Sequence, residues 1–402
     1  MSFEQDAKKS FPKWPIYDNN EINALTDVIK SGNWWCGAPG VHEGENVWKF
    51  QEEFAKFQGS EYCIAVFNGT VAIEAALMAL DVGLGDEVIV SDYTFVASAS
   101  AVIATNAVPI FCDVNPETFV MDVDQVEKLI TKRTKVIIPV HLGGNPVEMD
   151  KLKELTENLD IKIVEDCAHA HGSCYKDKKA GNWGDAGTFS FQASKVLTSG
   201  EGGAIICNSK TLADKIYSYI DCGREKNKHS YFHSIYGTNY RMTEYQAAIL
   251  REQMKKFPTQ HERRNRNAKY LSEKLNEIDG IKAMKPTLGT TKLGWYVFPF
   301  IFEPKKFGGL TKQDFYKKLR RNGIPTDDCY PPLHGLDCFK NINLKKGIDY
   351  SNANWGKEKS NNNCFPIVSD IYERSVEFPQ EMLLANKEQL DSVIDFIRSL
   401  KK

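Results

Sequence analysis

Lys195 stands in "FSFQASKVLTSGEGG", residues 189–203, among small, apolar and hydroxyl residues and ahead of a glycine pair. A lysine withdrawn from water loses part of its preference for the ammonium form, and the neutral amine can form a Schiff base with an aldehyde. The ordinary alternative is a turn lysine whose tip reaches water. Against it, "FSFQAS" precedes and "GEGGAIIC" follows, so the surroundings read as strand rather than solvated helix.

Two other stretches carry chemistry of a matching kind. In "IKIVEDCAHAHG", Asp166 follows the apolar run Ile161 to Val164, with Glu165 between. An acid at the carboxyl end of a parallel strand lies where open α/β sheets bind ligands, and it could pair with a protonated ring nitrogen. An Asp capping the next helix is an equally good reading. In "FNGTVAIEAAL" an apolar strand ends at Asn68-Gly69-Thr70 and a helix begins at once. The first helical N–H groups and the Thr70 hydroxyl suit a phosphate; alone, an ordinary turn with Thr70 as N-cap is the simpler reading. In this order, a phosphate cradle, an acid and a lysine describe a site for pyridoxal phosphate.

The elements that must position these residues are legible in the patterning. From Tyr62, short apolar runs ("CIAVF", "EVIVS", "VPIFCDV", "TKVIIPVHL", "IKIVEDCA") alternate with helical ones. That predicts βαβ units and a mainly parallel sheet. "GTFSFQ" and "GGAIICN" bracket the lysine as two strands. After residue 240, "MTEYQAAILREQMKKFPTQHERRNRNAKYLSEKLNEI" predicts a long helix interrupted near Pro258. A strand "WYVFPFIFE", a helix "TKQDFYKKLRRNG" and a closing helix follow. "NINLKKGIDYSNANWGKEKSNNN" reads as a surface loop. The expected organisation is a large domain over 1–255, with an N-terminal helical segment, and a smaller α+β domain over 256–402.

The bulk numbers exclude several function classes. The chain has 402 residues, 51 basic against 53 acidic, and a formal net charge of -2. That balance favours neither nucleic acid nor an anionic membrane. No stretch is apolar enough for a spanning helix, and the first residues carry no secretory pattern. Ten cysteines scattered without a C-x-x-C pair predict reduced thiols in a cytoplasmic protein. His169 and His171 are spaced poorly for two ligands on one helix face, so no metal site is expected.

With "FNGTVAIEAAL", "GDEVIVSDYTFVAS", "TKVIIPVHLGG", "EDCAHAHG", "GDAGTFSFQASKVLTSGEGG" and "GTNYRMTEYQAAIL" in hand, the chain closely resembles the DegT/DnrJ/EryC1/StrS family of pyridoxal phosphate-dependent aminotransferases. The resemblance implies an aspartate aminotransferase-like (fold type I) architecture. It makes Lys195 the lysine that binds the aldehyde and later moves a proton, and Asp166 the partner of the pyridine nitrogen. Phe95 matches the residue against the ring face, and Gly69, Thr70 and Ser190 match phosphate positions. Asn239 matches an asparagine reaching the phosphate from the neighbouring subunit of a homodimer. His169 takes the place beside the ring hydroxyl, where many members carry Gln; a packed histidine is the plainer alternative.

The implied activity is amino transfer from glutamate or glutamine, through the pyridoxamine form, to a keto sugar, typically a nucleotide-linked keto-hexose. Features such as "FSFQASK" and "CGREKNKHSYFHSIYGTNYRM" also resemble the 3-amino-5-hydroxybenzoate synthase and ketocyclitol aminotransferase branch. Relatives that act as dehydratases lack this lysine, and a cofactor-binding regulator would need a DNA-binding segment. Candidates for substrate contact are Trp34, Trp35 and His42 in "WWCGAPGVHEGENVW", with Arg241 and His334. The tryptophans could equally pack at a dimer interface, and Arg241 or His334 could be structural.

Overall fold

A computed structural model describes residues 11–36, 45–225, 231–340, 345–355 and 364–401. The chain enters through helices α1 (Asn19–Ser31) and α2 (Asn46–Gln58). Asp18 begins α1 with a reciprocal capping box to Glu21, and Gly32 ends it at φ 71°, where a side chain would be strained.

The alternating segment builds strands β1 (Tyr62–Val66), β2 (Glu87–Ser91), β3 (Val108–Cys112), β4 (Thr134–Ile138) and β5 (Lys162–Asp166). Between them run helices α3 (Gly69–Ala79), α4 (Ala97–Ala104), α5 (Val123–Leu129) and α6 (Met149–Thr156). A short hairpin, β6 (Cys174–Tyr175) and β7 (Lys178–Lys179), precedes β8 (Ala186–Ser190) and β9 (Gly203–Cys207). The seven-stranded sheet has the order β1-β9-β8-β5-β4-β2-β3. Its strands are parallel except β9, which runs antiparallel to both neighbours. Val88–Val90, Val136–Ile138 and Val164 are wholly buried, as expected of parallel strands covered by helices on both faces.

After helix α7 (Lys210–Ile220), α8 (Glu244–Asn276) carries the chain away from this sheet. The expected break at Pro258 does not occur, because α8 is continuous through it. Phe257 and His261 are stacked and buried on its inner face, and Phe57 of α2 meets Phe257 edge-on. Packing along 33 residues outweighs the roughly 3 kcal/mol that an internal proline costs. The boundary expected at 255/256 lies inside this helix.

Beyond it come strands β10 (Ile281–Ala283), β11 (Thr290–Lys292) and β12 (Val297–Phe302), then helices α9 (Lys312–Arg321), α10 (Asp337–Lys340) and α11 (Pro366–Arg374), and last strand β13 (Ser375–Pro379) and helix α12 (Lys387–Ser399). β10, β12 and β13 form an antiparallel sheet, while β11 pairs with β6. The described part of the expected surface loop, 345–355, holds no helix or strand and is largely exposed, but it is anchored to the sheet. Tyr350, Ala353 and Trp355 are buried. Trp355 Nε1 donates to Pro109 O at 2.7 Å, and Asn354 bonds both backbone groups of Phe111. The Asn354 amide therefore takes the place of a neighbouring strand along the exposed edge of β3. No disulfide joins any of the ten cysteines, and no helix among the described residues is long and apolar enough to cross a membrane.

Candidate active site

The C-terminal ends of β1, β2, β4, β5 and β8 open on one cavity of about 500 Å³, within the range of small-molecule sites. Gly69, Thr70, Phe95, Asp166, His169, Ser190 and Lys195 all line it, brought from the start of α3, the turn after β2, the end of β5 with the turn after it, and the end of β8 with the connection that follows.

At the end of β1 the helix starts two residues earlier than the alternative reading had it. Asn68 is the N-cap, its side chain accepting from Val71 N–H at 3.1 Å, and Thr70 lies inside the first turn. The Thr70 hydroxyl is thereby left for the cavity. Gly203, at the start of β9, lies in register between Val66 of β1 and Ser190 of β8. A Cβ there would fall 2.3 Å from the Asn68 carbonyl oxygen, and one on Gly69 would fall 2.7 Å from Ser190 Cβ. Only glycines allow the α3 N-terminus and the Ser190 hydroxyl to stand side by side.

Lys195 sits in the connection between β8 and β9. That loop is pinned by Thr198 Oγ1 and Ser199 N–H on the Phe191 carbonyl, by the buried side chains Val196 and Leu197, and by Trp14 Nε1 donating to Ala193 O at 2.9 Å. The lysine is 8% exposed, and burial pushes its amine from 10.5 down to about 7, with Asp166 opposing. Its Nζ lies 3.9 Å from the ring centre of Tyr296, whose hydroxyl shares a hydrogen bond with Ser194 Oγ at 2.8 Å. A ring face is a weak partner for an ammonium group and leaves the amine's lone pair unoccupied when neutral.

Asp166 and Glu165 are adjacent on β5 and point to opposite faces. Glu165 is consumed structurally: it accepts from Gly181, Trp183 and Gly184 N–H and from buried His141. Asp166 faces the cavity. One of its oxygens accepts from Ala168 N–H at 3.0 Å, and the other from Ser98 Oγ at 2.7 Å. Thr94 in turn donates to Ser98 across 3.0 Å. His169 lies in the turn after β5 rather than on a helix. Gly143 N–H donates to its Nδ1 at 3.3 Å, so the ring proton sits on Nε2, 3.4 Å from Tyr330 OH. Burial and the nearby lysine hold this imidazole well below its ordinary value, hence neutral. Phe95 is 53% exposed, with Tyr330 tilted against it at 5.8 Å.

The remaining expected residues lie elsewhere. Asn239 is exposed and outside its own chain's cavity, bridging to Asp221. Arg241 is held by Asp221 at 2.5 Å and lies over the Trp35 ring at 5.7 Å. Trp34 and Trp35 are about half exposed, away from the cavity. His334 is buried with its Nδ1 2.5 Å from Asp92, behind the cavity wall. His42 lies outside the described residues. Sequence reasoning missed Ser98, Thr94, Tyr296 and Tyr330. Thr94 and Ser98 alone left a signal: both stand in "YTFVAS" beside Phe95.

Known proteins are similar to this chain over most of their length. An L-glutamine:2-deoxy-scyllo-inosose aminotransferase of Streptoalloteichus tenebrarius is 35% identical over 338 residues, covering 81% of this chain and 79% of the relative. The 3-amino-5-hydroxybenzoate synthase of Amycolatopsis mediterranei is 34% identical over 341 residues, 83% of this chain and 85% of the relative. A crystal structure of 3-amino-5-hydroxybenzoic acid synthase superposes with a TM-score of 0.88 at 30% identity, covering 97% of this chain and 98% of that one. Residues 15–396 match the DegT/DnrJ/EryC1/StrS aminotransferase family, and this enzyme belongs to it.

Proposed function

We propose that this aminotransferase uses pyridoxal phosphate to move an amino group from glutamate or glutamine onto the ketone of a sugar ring. The observation that carries the reading is the convergence of Lys195, Asp166, Ser190 and the α3 N-terminus on one cavity. The residues fit the cofactor. Backbone amides of α3 with the Thr70 and Ser190 hydroxyls form a donor set for a phosphate, and they stand side by side because Gly69 has no Cβ to meet Ser190. Asp166, oriented by Ser98 and Ala168, is a fixed carboxylate for a ring nitrogen.

Bound there, pyridoxal phosphate would supply an aldehyde to take up the amino group and an electron-withdrawing ring to stabilise charge at the donor Cα. Lys195 is the proton carrier. With its amine near neutrality it removes the proton from the donor Cα in one half-reaction and delivers one on the acceptor side in the other. Asp166 keeps the proton on the ring nitrogen. Neutral His169 donates from Nε2 without adding charge beside the lysine, and Phe95 bounds one ring face. Tyr296 and Tyr330 limit the water around the amine.

Asn239 completes the phosphate site from the neighbouring subunit, so the active unit is a homodimer, with 1–255 as the cofactor-binding part and 256–402 as the smaller part. The large exposed side chains of Tyr231, Phe232 and Tyr236 close to Asn239 support a surface that a second copy covers. A cytoplasmic location accords with the scattered cysteines.

A second reading, with a ketocyclitol as acceptor, is favoured by the inosose aminotransferases and the 3-amino-5-hydroxybenzoate synthase among the relatives. The visible spectrum of the purified protein tests the proposal. A yellow protein bleached by glutamate or glutamine, but not as Lys195→Ala, supports it and names the donor. The product formed from keto sugars or from ketocyclitols then separates the two acceptors. A colourless protein that cannot take up pyridoxal phosphate overturns it.

A further inference from the structure

Three hydrogen bonds tie one short segment to one residue behind the cavity. Leu333 N–H donates to Asp92 O at 2.9 Å, His334 N–H donates to Asp92 Oδ1 at 2.9 Å, and His334 Nδ1 lies 2.5 Å from Asp92 Oδ2. Asp92 is 0% exposed and His334 2%. The next residue repeats the device, because Tyr93 OH donates to buried Glu377 of β13 at 3.1 Å. Two buried acids therefore fix two successive residues of the turn after β2. What that turn carries next is Thr94, Phe95 and Ser98, the residues that bound the cavity and hold Asp166.

The same segment acts on the opposite wall. Tyr330 lies four residues before His334, 5.8 Å from the Phe95 ring and 3.4 Å from His169 Nε2. The His334 ring cannot turn toward a substrate. Nδ1 is committed to Asp92, and its face stacks on Phe365 at 4.7 Å.

We propose that His334 is a positioning residue for the amino-transfer site: through Asp92 it sets the turn bearing Phe95 and Ser98, and through its own segment it sets Tyr330. The role rests on the cofactor-site reading given above, although the clamp itself does not depend on it. The physical basis is the cost of a buried carboxylate that loses a donor. Without the imidazole, one Asp92 oxygen has no partner, and the turn must shift to bring in water.

The side-chain geometry allows a sharp test with the full-length protein. Asparagine can present an amide N–H where Nδ1–H stood, whereas the glutamine amide extends to the Nε2 position, beyond reach of Asp92. Hydrogen exchange, measured without cofactor, should quicken in residues 92–98 by roughly tenfold or more in His334→Ala and in His334→Gln, with α12 unchanged. Pyridoxal phosphate affinity, titrated on the same proteins, should weaken by a similar factor, and His334→Asn should restore most of both. If His334→Ala does not fold, the Asn and Gln pair decides. Unchanged exchange in 92–98 for His334→Gln, or a His334→Asn variant no better than it, overturns the proposal. A wild-type protein that takes up no pyridoxal phosphate would instead sink the cofactor reading, with exchange still deciding the clamp.

Discussion

Replacing Lys195 by methionine removes the buried amine while keeping an unbranched chain of similar length against Tyr296. In the cofactor-free protein this amine titrates near 7, against 10.5 in water, because burial disfavours its charge. The sign follows from proton counting. Below about pH 7 both folded and unfolded chains carry the ammonium, and folding bears the whole cost of burying it. As pH rises from 7 toward 10.5 the unfolded chain still holds the proton and the folded one does not, so stability increases and the cost vanishes.

With about 1.4 kcal/mol for each tenfold in proton affinity, the cost at low pH is about 5 kcal/mol at most. Between about pH 7 and about pH 9.5 the wild-type protein should gain about 3 kcal/mol relative to Lys195→Met. Urea unfolding of both proteins, cofactor-free and at one protein concentration, measures this difference directly. Methionine should therefore stabilise the protein near neutrality and lose that advantage in alkali. A stability difference independent of pH over this range would refute the reasoning, since it would place the amine in water.

Two further outcomes are expected. Ser98→Ala should weaken pyridoxal phosphate binding by roughly tenfold, read by titration of the cofactor-free protein, because Asp166 loses one of its two hydrogen bonds; an unchanged affinity would remove Ser98 from the site. Asn354→Ala should lower stability to urea by about 1–3 kcal/mol through the two Phe111 backbone groups it leaves unpaired, with turnover unchanged; an unaltered midpoint would show that water replaces the amide freely.

Much of the fold was legible because its signals are local. Each sheet strand is a short apolar run bounded by polar residues, so the alternation with helices was visible without any knowledge of contacts. Asp166 and the Asn68–Thr70 turn were legible for the same reason, since each stands at a strand end, and Lys195 because two strand-like runs bracket it. The continuity of the helix through Pro258 and the anchoring of the 349–355 segment went unread because packing overrode local rules. A proline tolerates a helix interior when Phe57, Phe257 and His261 hold both sides, and an Asn-rich stretch becomes ordered when a sheet edge offers it Phe111.

Tyr296 and Tyr330 could not be read at all. Nothing near Tyr296 in sequence resembles a site, and beside Tyr330 only His334 drew notice, because the region of the small sheet delivers both tyrosines from far downstream of the cavity's other walls. His334 shows the converse. As a histidine in "PPLHG" it invited a substrate role, yet its whole hydrogen-bonding capacity at Nδ1 is spent on Asp92. Chemistry-bearing residue types mark where a site is controlled as well as where it reacts, and burial of the partner separates the two. Lys195 has a cavity in front of it and only a ring face beside it; His334 has a buried carboxylate in front and an aromatic ring behind. A group that must change its proton or its covalent partner cannot be so fully satisfied, whereas a group that must stay still has to be.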